Sequence, residues 1–415
     1  MEITEKRIMI ISYFYDLLDT NALCLDYVLR YLAEKGFQVH VLCCHPKPAK
    51  LQEFDKKNGI YIHTIPSFWF RLDRIMDRTR DKNLLIKSFG KAFRLFNYYF
   101  SAKTNPMIYS STIYFAKGLI NDNRITSILS ISAPFANHEL AIILKGAFNK
   151  IDWTVYQFDP HTFNYHLDEF KRNERMEEER KILAAADKII LTDGIQAENR
   201  SMGFAQEFDY KTISVPLPNL LLNNEVSQGG TLKASKDSII LLYTGNIYGN
   251  IRNPDILFKI LSRINTPDIV LHVYGTGLEN LAQKYYLGSD QVVLHGRVPK
   301  TEVIAAMENA SILVNFGNSM INQLPSKVFD YIASGKPIIN FCKDDNDSSL
   351  FYLERYPAFL NIYDDEALSE SAIRRFEEFC RKYKRFLVSR KEIAGLYKDL
   401  LSENVCERIE NFVSY

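Results

Sequence analysis

The chain has 415 residues, with 51 Lys and Arg against 50 Asp and Glu, a formal charge of +1. That length exceeds what one hydrophobic core usually serves, so two domains are expected. At 47 % apolar and 24 % charged residues the composition excludes a disordered chain. The neutral balance excludes a basic nucleic-acid binder, because no net field draws a polyanion.

The N-terminus, MEITEKRIMIISYFY, places Glu2 and Glu5 before a short apolar run, unlike a secretory signal. No apolar stretch reaches about 18 residues, so no membrane-spanning helix is predicted. The expected location is cytoplasmic, and any membrane contact would be peripheral, at the inner face of the plasma membrane. The six cysteines form no C-x-x-C pair, which predicts buried free thiols rather than staples or metal ligands.

In chain order, Arg7 to Ser12 reads as a buried strand. Asn21 to Lys35 follows with Leu23, Tyr27, Val28, Tyr31 and Leu32 at helical spacing, ended by Gly36. Val39 to Cys43 is the next strand. This β-α-β opening predicts a doubly wound parallel sheet, with further strands at Ser127 to Ser132, Thr154 to Phe158 and Lys188 to Thr192. Between them, residues 66–105 hold nine basic and three acidic residues interleaved with aromatics. A basic, aromatic helical face suits an anionic membrane surface; a solvated helix with its aromatics in the core is the other reading.

A connector rich in Pro, Asn and Gly begins at ISVPLPN, which puts the domain boundary near residue 216. A second β-α-β series follows. Its strands are expected at Ile239 to Tyr243, Val270 to Tyr274, Val292 to Leu294, Ile312 to Val314 and Pro337 to Asn340. Its helices are expected at Pro254 to Leu261, Thr301 to Glu308 and Ser326 to Ser334. The predicted organisation is an α/β chain of two Rossmann-like domains, 1–215 and 216–390, with a C-terminal helix, about 391–415, packing back onto the first.

The chemistry concentrates in NQLPSKVFDYIASGKP, Asn322 to Pro337. Pro325 and Ser326 stand where a helix begins. The unpaired N–H groups of a first turn, with the helix dipole, form an anion site. Lys327 adds a cation. Asp330, four residues after Ser326 and on the same face, can accept hydrogen bonds from a ribose diol. An ordinary amphipathic helix ended by Gly335 is the plainer alternative. Tyr243 to Pro254, YTGNIYGNIRNP, follows the first strand of the series. Gly245 there permits close backbone approach, and Arg252 can meet a leaving diphosphate. VYGTG (Gly275, Gly277) and LHGRVP (Gly296, Arg297, Val298) end the next two strands. The acidic run Lys343 to Asp347 reads as a polar loop rather than a metal-binding pair, and no metal or cofactor is expected.

The second half resembles the donor-binding domain of GT-B glycosyltransferases, near the retaining family 4. These run a strand with a TG loop, then YGxG, HGxV and PSKxxEYxAxGKP, in this order. In the first half SAPFANHELAIILK, Ser132 to Lys145, resembles the family's SSPP-helix segment. YQFDPH, Tyr156 to His161, resembles its strand ending in Asp near the interdomain cleft. The resemblance implies two Rossmann-like domains facing a cleft, with the acceptor on the first and a nucleotide-sugar donor on the second.

By that analogy Asp330 holds the ribose, Ser326 and Lys327 meet the diphosphate, Arg252 stands for a diphosphate-binding lysine, and Gly296 to Val298 approach the base. Asn246 occupies a position where many members carry Arg. Asn322 and Asp330 replace the two Glu of the family's pair. Asp159 would lie at the cleft mouth, with His138 and His161 as acceptor-side candidates. The implied activity is transfer of a sugar, from UDP by preference, to a glycan or lipid-linked acceptor in surface polysaccharide synthesis. Anomeric configuration would be retained, without a metal. A nucleotide-sugar epimerase and a non-catalytic partner protein are the alternatives on the same fold.

Overall fold

The structure, a computed structural model, describes residues 6–16, 20–65, 105–132, 134–164, 169–222, 238–245, 247, 253–264, 266, 268–285, 291–317, 327–366 and 369–414. The basic aromatic segment 66–105 lies outside these apart from Asn105. The chain divides into two compact units, Met1–Pro218 with Ser402–Tyr415, and Asn219–Leu401. Residues 391–401 therefore belong to the second unit.

Among the described residues the first unit holds seven strands: β1 (Arg7–Ile11), β2 (Gln38–Cys43), β3 (Ile60–Thr64), β4 (Ser127–Ser132), β5 (Asp152–Gln157), β6 (Lys188–Thr192) and β7 (Thr212–Val215). They pair in parallel in the order β3-β2-β1-β4-β5-β6-β7. The order reverses between β1 and β4, the switch point of a doubly wound sheet. Both faces are covered. One carries Met9, Trp153, Val155 and Leu191, the other Ile10, Val41, Leu129 and Ile190. Helix α1 (Thr20–Glu34) packs on the second face, joined by the last helix, Ser402–Ser414, through Val405, Cys406, Ile409 and Val413. Arg408 of that helix donates to the Ser214 carbonyl at 2.6 Å, tying the C-terminus to the edge strand.

Gly36 ends α1 as its sequence requires. At φ +88° it turns the chain so that its N–H meets the Ala33 carbonyl and Phe37 N–H meets Leu32. Beyond β2, the fully buried Lys47 donates to Asp26 and to Asp55, the latter at 3.0 Å. Arg30 bridges the same two carboxylates, and Tyr15 donates to Asp26 at 2.9 Å. Two cations facing two anions satisfy a burial that would otherwise be prohibitive.

The second unit holds β8 (Ile239–Thr244), β9 (Ile269–Tyr274), β10 (Val292–Gly296), β11 (Ile312–Phe316), β12 (Ile338–Cys342) and β13 (Phe359–Tyr363). The sheet is again parallel, ordered β10-β9-β8-β11-β12-β13, with its switch point between β8 and β11. Leu220 and Leu401 form an isolated parallel bridge, so the chain enters and leaves this unit side by side.

Three strands depart from the sequence expectation. β3, β7 and β13 were not anticipated, and β7 occupies the first residues of the expected connector. All six cysteines are free and buried. Burial pushes up the thiols of Cys43, Cys44, Cys342, Cys380 and Cys406, which leaves none of these five poised as a nucleophile.

Candidate functional site

In a doubly wound sheet, ligands bind at the carboxyl ends of the strands flanking the switch point. In the second unit those strands are β8 and β11, and the loops after β8, β9 and β10 nest there backbone against backbone. Gly275 at φ +147° lies so close to the Gly245 carbonyl that a side chain would overlap it, and its N–H donates to Gly296 at 2.8 Å. A Cβ on Gly277, at φ +101°, would fall 2.7 Å from the Ile247 carbonyl. The glycines of TG and YGTG are thus required by close approach as well as by backbone angle, whereas Gly296 of HGRV, at φ +69° with open space at its Cβ position, is required by its backbone angle alone.

The helix Lys327–Ser334 joins this edge. Lys327 donates to the Thr244 carbonyl, and its ammonium occupies the space where a Gly245 side chain would stand, 5.6 Å from the centre of the Tyr243 ring. One turn on, the buried Tyr331 hydroxyl accepts from Thr244 N–H and bonds Thr244 Oγ1, both at 3.1 Å. Residues four apart share a helix face, so Lys327 and Tyr331 together lock the helix start to the end of β8. Asp330 lies between them on an exposed position. Arg297 is exposed and Val298 half-buried after Gly296. The structure therefore brings Gly245, Gly275, Gly277, Gly296 and Lys327 together, with Asp330 on the adjoining turn. Asn246, Arg252, Asn322, Pro325 and Ser326 lie outside the described residues.

Two supports of this edge were not read from the sequence. Tyr274 stacks on His295 at 4.1 Å, and His295 bonds His272 at 2.9 Å. Each residue precedes a motif glycine or shares its strand, which was the available signal. Behind β11, a side chain on Gly317 would strike the Asp347 carboxylate and approach Cys342 Cβ to 2.8 Å. Asp347 is buried, accepting from Asn340 at 2.9 Å and from Ser349 N–H at 3.1 Å. Asp344 accepts from Asn346 N–H at 2.9 Å, and Tyr363 donates to Asp345 at 2.5 Å. The acidic run thus braces the loop and its neighbour strand. Among the described residues no group of three or more His, Cys, Asp or Glu is placed to hold a metal ion.

In the first unit Asp159 follows β5, accepts from Asn21 Nδ2 at 2.6 Å and is half-buried. The Ser132 hydroxyl donates to its carbonyl at 3.0 Å. His161 stacks on Phe135 at 3.7 Å and meets Glu178 at 3.2 Å, which lowers the Glu178 pKa. The next residue on that helix, Arg172–Ala185, is the buried Glu179. It accepts from Gln157 at 2.8 Å, from Thr162 N–H at 2.9 Å and from the Thr162 hydroxyl at 2.5 Å. The loop carrying Asp159 and His161 is thus clamped by two successive glutamates. No sequence motif marks them, because their loop partners His161 and Thr162 lie 17 residues away.

His138 is fully buried rather than facing a substrate. Its Nδ1 lies 2.7 Å from Ser130 Oγ, which accepts from Trp153 Nε1 at 2.8 Å. Burial first, then the charge of His161, lowers its pKa from 6.5 to about 3. Between those values only the unfolded chain takes up the proton. Stability is then full above the unfolded pKa and falls with pH, by about 1.4 kcal/mol per unit from this residue. His40 and His272, lowered to about 4 chiefly by burial, act in the same direction. Urea unfolding midpoints should therefore drop steadily from about pH 6.5 to about pH 4.5; a flat profile would contradict neutral buried imidazoles.

Comparison with known proteins adds the class. Residues 238–347 match the family described as Glycosyl transferases group 1. No curated protein matches the sequence. Sucrose-phosphate synthase from Thermosynechococcus elongatus is similar over 98 % of both chains, at 14 % identity and a TM-score of 0.64. Anabaena HepE, solved with UDP-glucose, is similar over 98 % of this chain and 99 % of its own, at 10 % identity and a TM-score of 0.61. A UDP-N-acetylglucosamine 2-epimerase is similar over 97 % and 94 %, at 12 % identity and a TM-score of 0.54. At such identities the likeness is one of fold, two Rossmann-like α/β domains of the GT-B kind. The match over residues 238–347, on a fold of this kind, supports a transferase of the glycosyltransferase type.

Proposed function

We propose that the protein transfers a sugar from a nucleoside diphosphate sugar, UDP by preference, to a glycan or lipid-linked acceptor in surface polysaccharide synthesis. Retention of configuration without a metal is part of this reading, as is a cytoplasmic location at the membrane's inner face. The observation that carries it is the Lys327 ammonium, held by the Thr244 carbonyl against Gly245 at the switch-point edge, with Asp330 on the adjoining turn. Breaking an anomeric C–O bond builds negative charge on the departing diphosphate. A preorganised cation and backbone N–H groups stabilise that charge without reorganising. Asp330 offers acceptor oxygens to a ribose diol, and by the family resemblance Arg252 and Ser326 would meet the diphosphate. UDP-glucose in the HepE structure supports uridine as the base.

Calorimetric titration of UDP, GDP, ADP and CMP against wild type and Asp330→Ala tests the donor site. UDP should bind, and the substitution should weaken it about tenfold, the loss of a charged hydrogen-bond acceptor. Absence of binding by every nucleotide at millimolar concentration would refute the reading. The epimerase of similar fold motivates the one rival activity. A product formed from nucleotide sugar alone, with no acceptor added, would favour it.

A further inference from the structure

The segment Arg381 to Lys391, RKYKRFLVSRK, contains six basic residues and no acidic one. It runs from the last turns of the helix Glu370–Tyr383 to the first turn of the helix Arg390–Leu396. Between its basic flanks Phe386 is 43 % and Leu387 59 % exposed. The loop is nevertheless firmly built. Val388 beside them is buried and donates its N–H to the Gly335 carbonyl at 2.8 Å. Phe386 N–H meets the Tyr383 carbonyl at 3.0 Å, and Ser389 caps the next helix by accepting from Glu392 N–H at 3.2 Å. Lys382, Arg385, Arg390 and Lys391 are exposed, and Arg381 meets Glu377 at 3.7 Å. A fixed backbone thus leaves two large apolar side chains partly exposed between basic residues, the Phe386 ring meeting Tyr383 edge-on at 5.2 Å and Leu387 lying over Gly335.

We propose that this loop docks the second unit onto a bilayer with anionic headgroups, Phe386 and Leu387 entering the interface and the basic residues meeting lipid phosphates. Charge alone would suit any polyanion, but an exposed Phe–Leu pair beside it suits a surface in which an apolar layer lies beneath anionic headgroups. Gly335, which receives the loop, directly follows the helix that begins at Lys327. At 1.5 Å per residue the Gly335 backbone, which receives the loop, lies about 12 Å along that helix from the Lys327 backbone. Docking would hold the donor edge near a lipid-borne acceptor. The surface stands on this loop alone and does not depend on the donor reading.

Vesicle flotation of the full chain tests it, with phosphatidylcholine alone and with equal parts phosphatidylcholine and phosphatidylglycerol. Two paired variants are compared, Lys384→Gln with Arg385→Gln, and Phe386→Ser with Leu387→Ser. Phe170→Ser removes an almost fully exposed phenylalanine of the first unit and serves as control. Wild type and control should float only with the anionic vesicles, and each pair should weaken partitioning roughly tenfold, with UDP binding and melting temperature unchanged. Flotation by both pairs at the wild-type level would overturn the proposal, and so would failure of wild type to float. Loss of heparin retention in the glutamine pair without any flotation would assign the charge to a soluble polyanion and overturn it equally. UDP titration on the same samples separates failure here from failure of the donor site.

Discussion

Lys327→Ala will lower turnover roughly 10²- to 10³-fold, the usual loss when one preorganised donor to a developing anion is removed. The donor KM should rise much less, because in the proposed mechanism the charge that the ammonium meets is largest in the transition state. The geometry adds a sharper expectation. The ammonium fills the space over Gly245, bounded by the Thr244 carbonyl and the Tyr243 ring. A guanidinium is broader and planar, so Lys327→Arg should fail to rescue the activity although it keeps the charge. Steady-state kinetics at saturating donor, with melting temperatures alongside, make the comparison. If turnover stays within a few-fold of wild type and only the melting temperature falls, Lys327 is a strut between helix and strand.

The second large effect is expected at Glu179. Its carboxylate is 2 % exposed and accepts three hydrogen bonds, from Gln157 and from both donors of Thr162. Glu179→Ala leaves those donors buried and unpaired, at about 1–3 kcal/mol each, so a loss of about 3 kcal/mol or more in the first unit is expected. Glu179→Gln should cost less, since an amide keeps one acceptor oxygen but turns its NH₂ toward a donor. Unfolding of the first unit can be followed by Trp153 fluorescence in a Trp69→Phe background, which leaves Trp153 as the sole tryptophan. If the clamped loop serves the acceptor, transfer should fall in Glu179→Gln while UDP binding to the second unit is unchanged. Equal stability in wild type and Glu179→Ala would show that the clamp is dispensable.

Central strands were legible because burial on both faces writes a continuous apolar run. β11, ILVNF, is buried at every position. Of the four edge strands only β10 was legible, from its Val-Val-Leu run, and the other three leave no such mark. β3, β7 and β13 each bury only one of their residues fully, and without an alternating pattern they pass for loop. The donor edge was legible for a related reason. Its glycines and Lys327 are close in sequence to strand ends, and strand ends converge in this architecture. Resemblance made His138 an acceptor-side candidate, but a motif does not show what packs around its residues, and His138 is fully buried. Here the Ser130–Trp153 pair lies beneath it, inside the core.

The sequence by itself determined the two doubly wound halves, the order of the glycine loops and a helix expected over Ser326 to Ser334, which the structure describes from Lys327. Each of these follows from local pattern: runs of apolar residues, turn chemistry, and motif spacing within a few tens of residues. Tertiary structure alone decided the rest. It put Lys327 against Gly245 across 82 positions, seated Glu179 beneath Thr162, and buried Asp347 behind Gly317. It also left Phe386 and Leu387 exposed beside a buried Val388. These outcomes depend on which elements pack together, because desolvation and hydrogen-bond satisfaction are properties of the assembled neighbourhood and not of any one segment.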